Sequence, residues 1–161
     1  MDHIYPLLKT LHIVAGCLLF GEFVIMVFIL NPALRRDVGV TKDNFVLAVY
    51  RRIYNMSSVS IGILWVTGAY LIYPYLHYFL NDESWSDTWR LTMESAMIIT
   101  VLLTILHVFE KRAMIKFKRN YLEPDFNRKK FVAKMNWMQI VSLSGVSIVF
   151  FLMLSILRNL Y

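Results

Sequence analysis

The chain has 161 residues, 58% of them hydrophobic and 17% charged, and it carries a formal charge of +6. A soluble protein of this length would bury far fewer consecutive apolar residues, and a single cysteine excludes an intrachain disulfide. The positive charges flank apolar runs, so they read as a membrane-topology signal and a grip on anionic lipid, not as a nucleic-acid surface.

Four apolar stretches organise the sequence, roughly Leu7–Leu30, Tyr54–Phe79, Leu91–Phe109 and Val132–Leu157. Each is about 20 residues or longer, enough for a helix to cross a hydrocarbon core of ~30 Å. The predicted fold is all-α: an integral membrane four-helix bundle, up-down-up-down, with residues 1–161 forming one domain.

The first stretch holds His12, Cys17 and Glu22. Asn31-Pro32 and Gly39 are expected to break the helix as it leaves the membrane. Thr41 then caps a helix, with Asp43 near its positive end, that runs straight into the second span. The second stretch ends among Tyr73, Tyr75, His77 and Tyr78, and the short loop after it has Asp82, Glu83 and Asp87 but no cation. The third stretch carries Met93, Glu94, Met97 and His107, continues as a basic helix through about Asn120, and is stopped by Glu123-Pro124.

The loops after the first and third spans are rich in Lys and Arg, so both are expected in the cytoplasm, with both termini and the second loop outside. The amino-terminal run lacks the cationic region and the cleavage site of a secretory signal. The localisation expected is a bacterial-type inner membrane. Tyr5, Tyr73, Tyr75, Tyr78, Trp85, Trp89 and Tyr161 mark the expected outer interface, and Tyr50, Tyr54, Tyr121 and Trp137 the inner one. Gly16, Gly21, Gly62, Gly68, Gly145 and Ser142 are expected at close helix contacts.

Ionisable groups inside a membrane are costly, so they are where function is sought. Counting ~1.5 Å per residue from the span ends, His12, His77, Glu94 and Met97 fall in one layer of the outer leaflet, with Tyr73 one turn from His77. Glu22 and His107 lie deeper and are expected to pair. A b-type haem needs one or two axial ligands, usually His and sometimes Met, beside small residues. His12 with His77, or His12 with Met97, has that chemistry, and Glu94 and Tyr73 would contact a haem propionate or a quinol. Copper is the alternative: Met93 and Met97 share a helix face, Cys17 follows His12, and thioether, thiolate and imidazole suit Cu(I). Phosphate-binding glycine loops, paired-His zinc motifs, Cys-x-x-Cys and nucleophile elbows are absent from the sequence.

Leu8-Lys9-Thr10-Leu11-His12-Ile13 with Phe20-Gly21 resembles the first helix of the CopD-like and HemJ-like superfamily of small membrane proteins. Tyr50-Arg51-Arg52-Ile53-Tyr54, Gly68, Trp89, His107 with its basic tail, and Asn136 resemble later parts of the same pattern. The resemblance implies haem b held by His12, as in haem-dependent protoporphyrinogen oxidases of the HemJ type. Those proteins also use an Arg in the first helix and a Lys early in the third. Here the first span has no Arg, and Glu94, Ala96 or Met97 stands where the Lys is expected. The expected function is electron transfer or a haem-dependent oxidation at the membrane, with a quinol or porphyrin as partner. Copper handling of the CopD type, a non-catalytic subunit of a larger membrane complex, and a homodimer remain open.

Overall fold

The computed structural model describes residues 4–35, 40–81, 87–120 and 128–159. Side chains are described in most of these segments, but not at 40–44, 74–81, 87–89, 118, 120, 128 or 155–159. The described residues are entirely helical. α1 covers Ile4–Ile25, a π-helical turn covers Met26–Leu30, and α2 covers Asn31–Arg35. α3 covers Val40–Asn81, α4 Asp87–Asn120 and α5 Arg128–Asn159. Within them lie four segments long and apolar enough to cross a membrane: Ile4–Arg35, Phe45–Tyr73, Arg90–Phe117 and Lys129–Leu154.

Asn31-Pro32 does not end the first helix as the sequence implied. Pro32 lacks the N–H that would bond Phe28, and its ring presses on that carbonyl. The chain absorbs this in one π turn, with the Asn31 N–H bonding the Met26 carbonyl five residues back. The helix therefore continues to Arg35 and carries Asn31 into the bundle, where it is buried. Two other expectations hold. The helix before the second span runs into it without interruption, and the third extends to Asn120. The stop at Glu123-Pro124 lies outside the described residues.

Neighbouring spans run antiparallel. The first packs closely on the second and the third on the fourth, while first-to-fourth and second-to-third contacts close the ring. The first and third spans face each other diagonally, as do the second and fourth. One end gathers Arg35, Arg51, Arg52, Lys111, Arg112, Lys116, Lys129 and Lys130, and is called the basic end below.

The core is concentrated toward that end. Phe23, Met26, Leu34, Tyr50, Tyr54, Phe117, Val132 and Met135 are all buried there, and Phe117 stacks on Phe131 at 4.4 Å between ring centroids. Toward the opposite end, Ala15, Thr67 and Ala96 are buried. The outer surface is strongly apolar, with Phe28, Phe45, Val59, Val66, Ile98, Leu102 and Phe151 among its exposed side chains. Four such helices satisfy their backbone groups internally, which is what a lipid environment demands.

Small residues divide by position. Ala15 is buried, Gly68 lies against His12, and Gly145 lies against Leu103. Gly21 and Gly62 face open space, so they are not the close contacts the sequence suggested.

Candidate functional site

Polar side chains collect at two levels. The sparser level is away from the basic end. There the His12 Nδ1 and the Thr67 hydroxyl are 2.8 Å apart, joining α1 to α3. Thr67 gives its own hydrogen to the Ile63 carbonyl at 2.6 Å. With that hydrogen engaged, Thr67 can accept from His12 in the tautomer that carries its hydrogen on Nδ1. Nε2 is then left with its lone pair, the arrangement by which a second residue prepares a histidine to ligate metal. Gly68 makes room for the ring: a Cβ there would stand 3.3 Å from His12 Cε1.

The other members of the expected outer layer are not brought to His12. Met97 is 46% exposed, on a span diagonal to the first. Tyr73 is 75% exposed. Glu94 is partly exposed and approaches Arg90 of its own helix at 4.0 Å. The side chain of His77 lies outside the described residues, but its backbone belongs to the unbroken α3. Thr67 is level with His12, and His77 follows it by ten residues, about 15 Å along the axis. His12 and His77 are therefore not at one level. Counting depth from assumed span ends caused the error, because the second span begins earlier than its apolar run. Cys17 is exposed on α1, and Met93 and Met97 sit on the diagonal span, so the copper set is not assembled either. Among the described residues, His, Cys, Asp and Glu form no group of three that could hold a metal ion.

The denser level lies toward the basic end and links every span. Asn31 donates through Nδ2 to Asn136 Oδ1 at 2.9 Å and accepts from the Tyr50 hydroxyl. Glu110 accepts from Ser142 at 2.7 Å and from Tyr54 at 3.4 Å. Gln139 donates to the Tyr54 hydroxyl at 2.8 Å. Asn31, Tyr50, Tyr54, Glu110, Gln139 and Ser142 are all fully enclosed. Tyr50 and Tyr54 are thus core residues, not the interfacial aromatics expected from their place beside Arg51 and Arg52. Trp137 does stay outside.

Glu22 and His107 belong to this level and are buried, but they do not bond each other. Each takes one of two consecutive serines. Glu22 Oε2 is 2.5 Å from the Ser57 hydroxyl, and His107 Nε2 is 3.1 Å from that of Ser58. Successive helix residues point about 100° apart, so Ser57 faces α1 and Ser58 faces α4. Ser58 donates to the Tyr54 carbonyl at 2.7 Å and accepts from Lys111 at 3.0 Å. Its remaining capacity is to accept, which suits the His107 tautomer with hydrogen on Nε2. Three buried atoms in this level have no hydrogen-bond partner: Glu22 Oε1, His107 Nδ1 and Gln139 Oε1.

Glu110 and Gln139 were not foreseen. The signal was in their spacing: His107, Glu110, Met114 and Phe117 fall on one helix face, as do Val132, Met135, Gln139, Ser142 and Val146. No protein family, curated protein or solved structure matches the chain.

Proposed function

We propose that this chain is a multi-pass protein of a bacterial-type inner membrane, basic end in the cytoplasm, that carries haem b on His12 and serves electron transfer or haem-dependent oxidation. The observation that supports it is the His12–Thr67 hydrogen bond, which suits the tautomer that leaves Nε2 free to ligate iron. Gly68 against the ring agrees with a ligand-bearing role.

The fit to haem is one imidazole. His12 would hold the iron, while Thr67 orients the ring and Gly68 sets how far it can lie back. Bound there, the haem would supply a reversible one-electron couple. Met97 does not qualify as the opposite ligand within this chain, since it faces outward on a span that does not touch the first. A quinol or porphyrin in the lipid would be the partner at that face.

Protein purified in mild detergent is expected to show a Soret band and a positive pyridine haemochrome assay. Both are lost in His12→Ala and kept in Met97→Ala. A colourless preparation, or a band indifferent to His12, overturns the proposal. Cysteine labelling from either side of intact cells, at positions introduced beside Arg52 and in the 82–86 loop, tests the orientation.

A further inference from the structure

The dense polar level has no role in holding a group at His12, since it lies toward the other end of the bundle. We infer that it is a proton-exchange site: Glu22 and Glu110 are the exchanging carboxyls, and water reaching the level from the basic end is the ligand.

Hydrogen-bond accounting carries the inference. Neither Glu22 nor Glu110 has a cation within ion-pairing distance among the described residues. A buried carboxylate without a counter-charge is costly, so a proton is the natural neutraliser. The two carboxyls are set up differently. Ser57 has one hydrogen and two neighbours, the Ile53 carbonyl at 3.0 Å and Glu22 Oε2 at 2.5 Å. Ser57 is the donor at both contacts, and a proton on Glu22 would let that carboxyl donate to Ser57 in turn. Glu110 instead receives hydroxyl donors on both oxygens, from Ser142 and Tyr54, which is the environment of a charge acceptor.

The three unpartnered atoms point to the ligand. Glu22 Oε1, the Nδ1 of His107 and Gln139 Oε1 are all lone-pair acceptors when His107 carries its hydrogen on Nε2, and all are enclosed. Acceptors of this kind call for a hydrogen donor small enough to enter a helix bundle, which is water or hydronium. The titratable groups facing the level are Glu22 from α1, Tyr50 and Tyr54 from α3, and His107, Glu110 and Lys111 from α4. The fourth span contributes only the neutral Asn136, Gln139 and Ser142. Lys111 is half-buried and meets Ser58, the residue His107 also bonds, so it connects the level to the basic end. The exchange is acid dissociation. The carboxylic O–H bond breaks, its electron pair stays on the carboxylate, and water takes the proton as hydronium; nothing is oxidised or reduced.

The test is infrared spectroscopy of the purified full chain in lipid nanodiscs, titrated in H2O and in D2O. A protonated-carboxyl C=O band is expected near neutral pH. It shifts in D2O and fades as pH rises. Glu22→Gln and Glu110→Gln each diminish the neutral-pH band and alter the pH profile of what remains, because coupled carboxyls titrate as a pair. A purely structural Glu22–Ser57 bond would give a band that neither exchanges nor titrates, and that result overturns the inference. So does the absence of the band, or a profile that Glu110→Gln leaves untouched. The wild-type titration alone decides whether exchange occurs, should either variant fail to fold. Haem content is not read in this experiment, so failure at His12 and failure here are independent.

Discussion

The two halves of the bundle handle polarity in opposite ways. Toward the basic end, hydrogen bonds connect every span: Asn136 to Asn31 to Tyr50, and Gln139 to Tyr54 to Glu110 to Ser142. Away from it, the first two spans are joined by His12 and Thr67, and the second and third by Trp65 and Thr104 at 3.1 Å. Apolar helices gain little from leaving lipid for one another, so packing and interhelical hydrogen bonds must hold them together. The dense half therefore fixes the bundle. The sparse half is free to present an imidazole nitrogen, because few other contacts depend on where that ring lies.

Substitutions in the dense half should break this contrast most visibly. Glu110→Leu strips the acceptor from Ser142 and Tyr54 together and leaves two enclosed hydroxyls unmet. The expected cost is on the order of 2–4 kcal/mol, read as a lower thermal midpoint in detergent by circular dichroism. Asn31→Leu is expected to cost less, about 1–3 kcal/mol, since the Asn136 and Tyr50 partners lose one bond each. Neither change should move a Soret band. If Asn31→Leu were as stable as wild type, the dense half would not be what holds the four spans together.

The four helices were legible because each is a long apolar run, and length alone separates such runs from soluble elements. The burial of Glu22 was legible too, since an isolated carboxyl deep in an apolar run has nowhere else to go. The rest of the dense level was hidden by its neighbours. Glu110 precedes Lys111 and Arg112, so it reads as part of a solvated flank, and Tyr50 and Tyr54 bracket Arg51 and Arg52 as interfacial aromatics do. Local composition misled where helical spacing would have led correctly. The π turn was invisible for a different reason. Pro32 is compatible with a helix end or with a helix that widens, and only the packing of Leu34 and Asn31 decides between them.

Thr67→Val probes the sparse half. It removes the lone pair that suits the Nδ1–H tautomer of His12 and also the hydroxyl bond to the Ile63 carbonyl. Stability should fall by about 1 kcal/mol or less, because the Ile63 carbonyl keeps its place in the helix ladder. The optical signature of a haem on His12 should change far more than the thermal midpoint does, as ligand orientation and basicity depend on that bond. A thermal loss as large as that of Glu110→Leu would mean that both halves carry the bundle equally.

The smallest expected effect is the sharpest. A Cβ at Gly68 would come within 3.3 Å of His12 Cε1, the carbon bonded to the nitrogen proposed to ligate iron, so the ring must move back by a few tenths of an ångström. Replacing a mid-helix glycine with alanine also gains about 0.5–1 kcal/mol of helix propensity. Gly68→Ala should therefore leave the thermal midpoint unchanged or raise it slightly while shifting the Soret band. Gly62, on the same helix, has open space where its Cβ would go. Gly62→Ala should bring the same stabilisation with no spectral change. A spectral shift in one and not the other isolates the His12 ring from helix propensity. Identical spectra for both would mean that the ring bears no ligand.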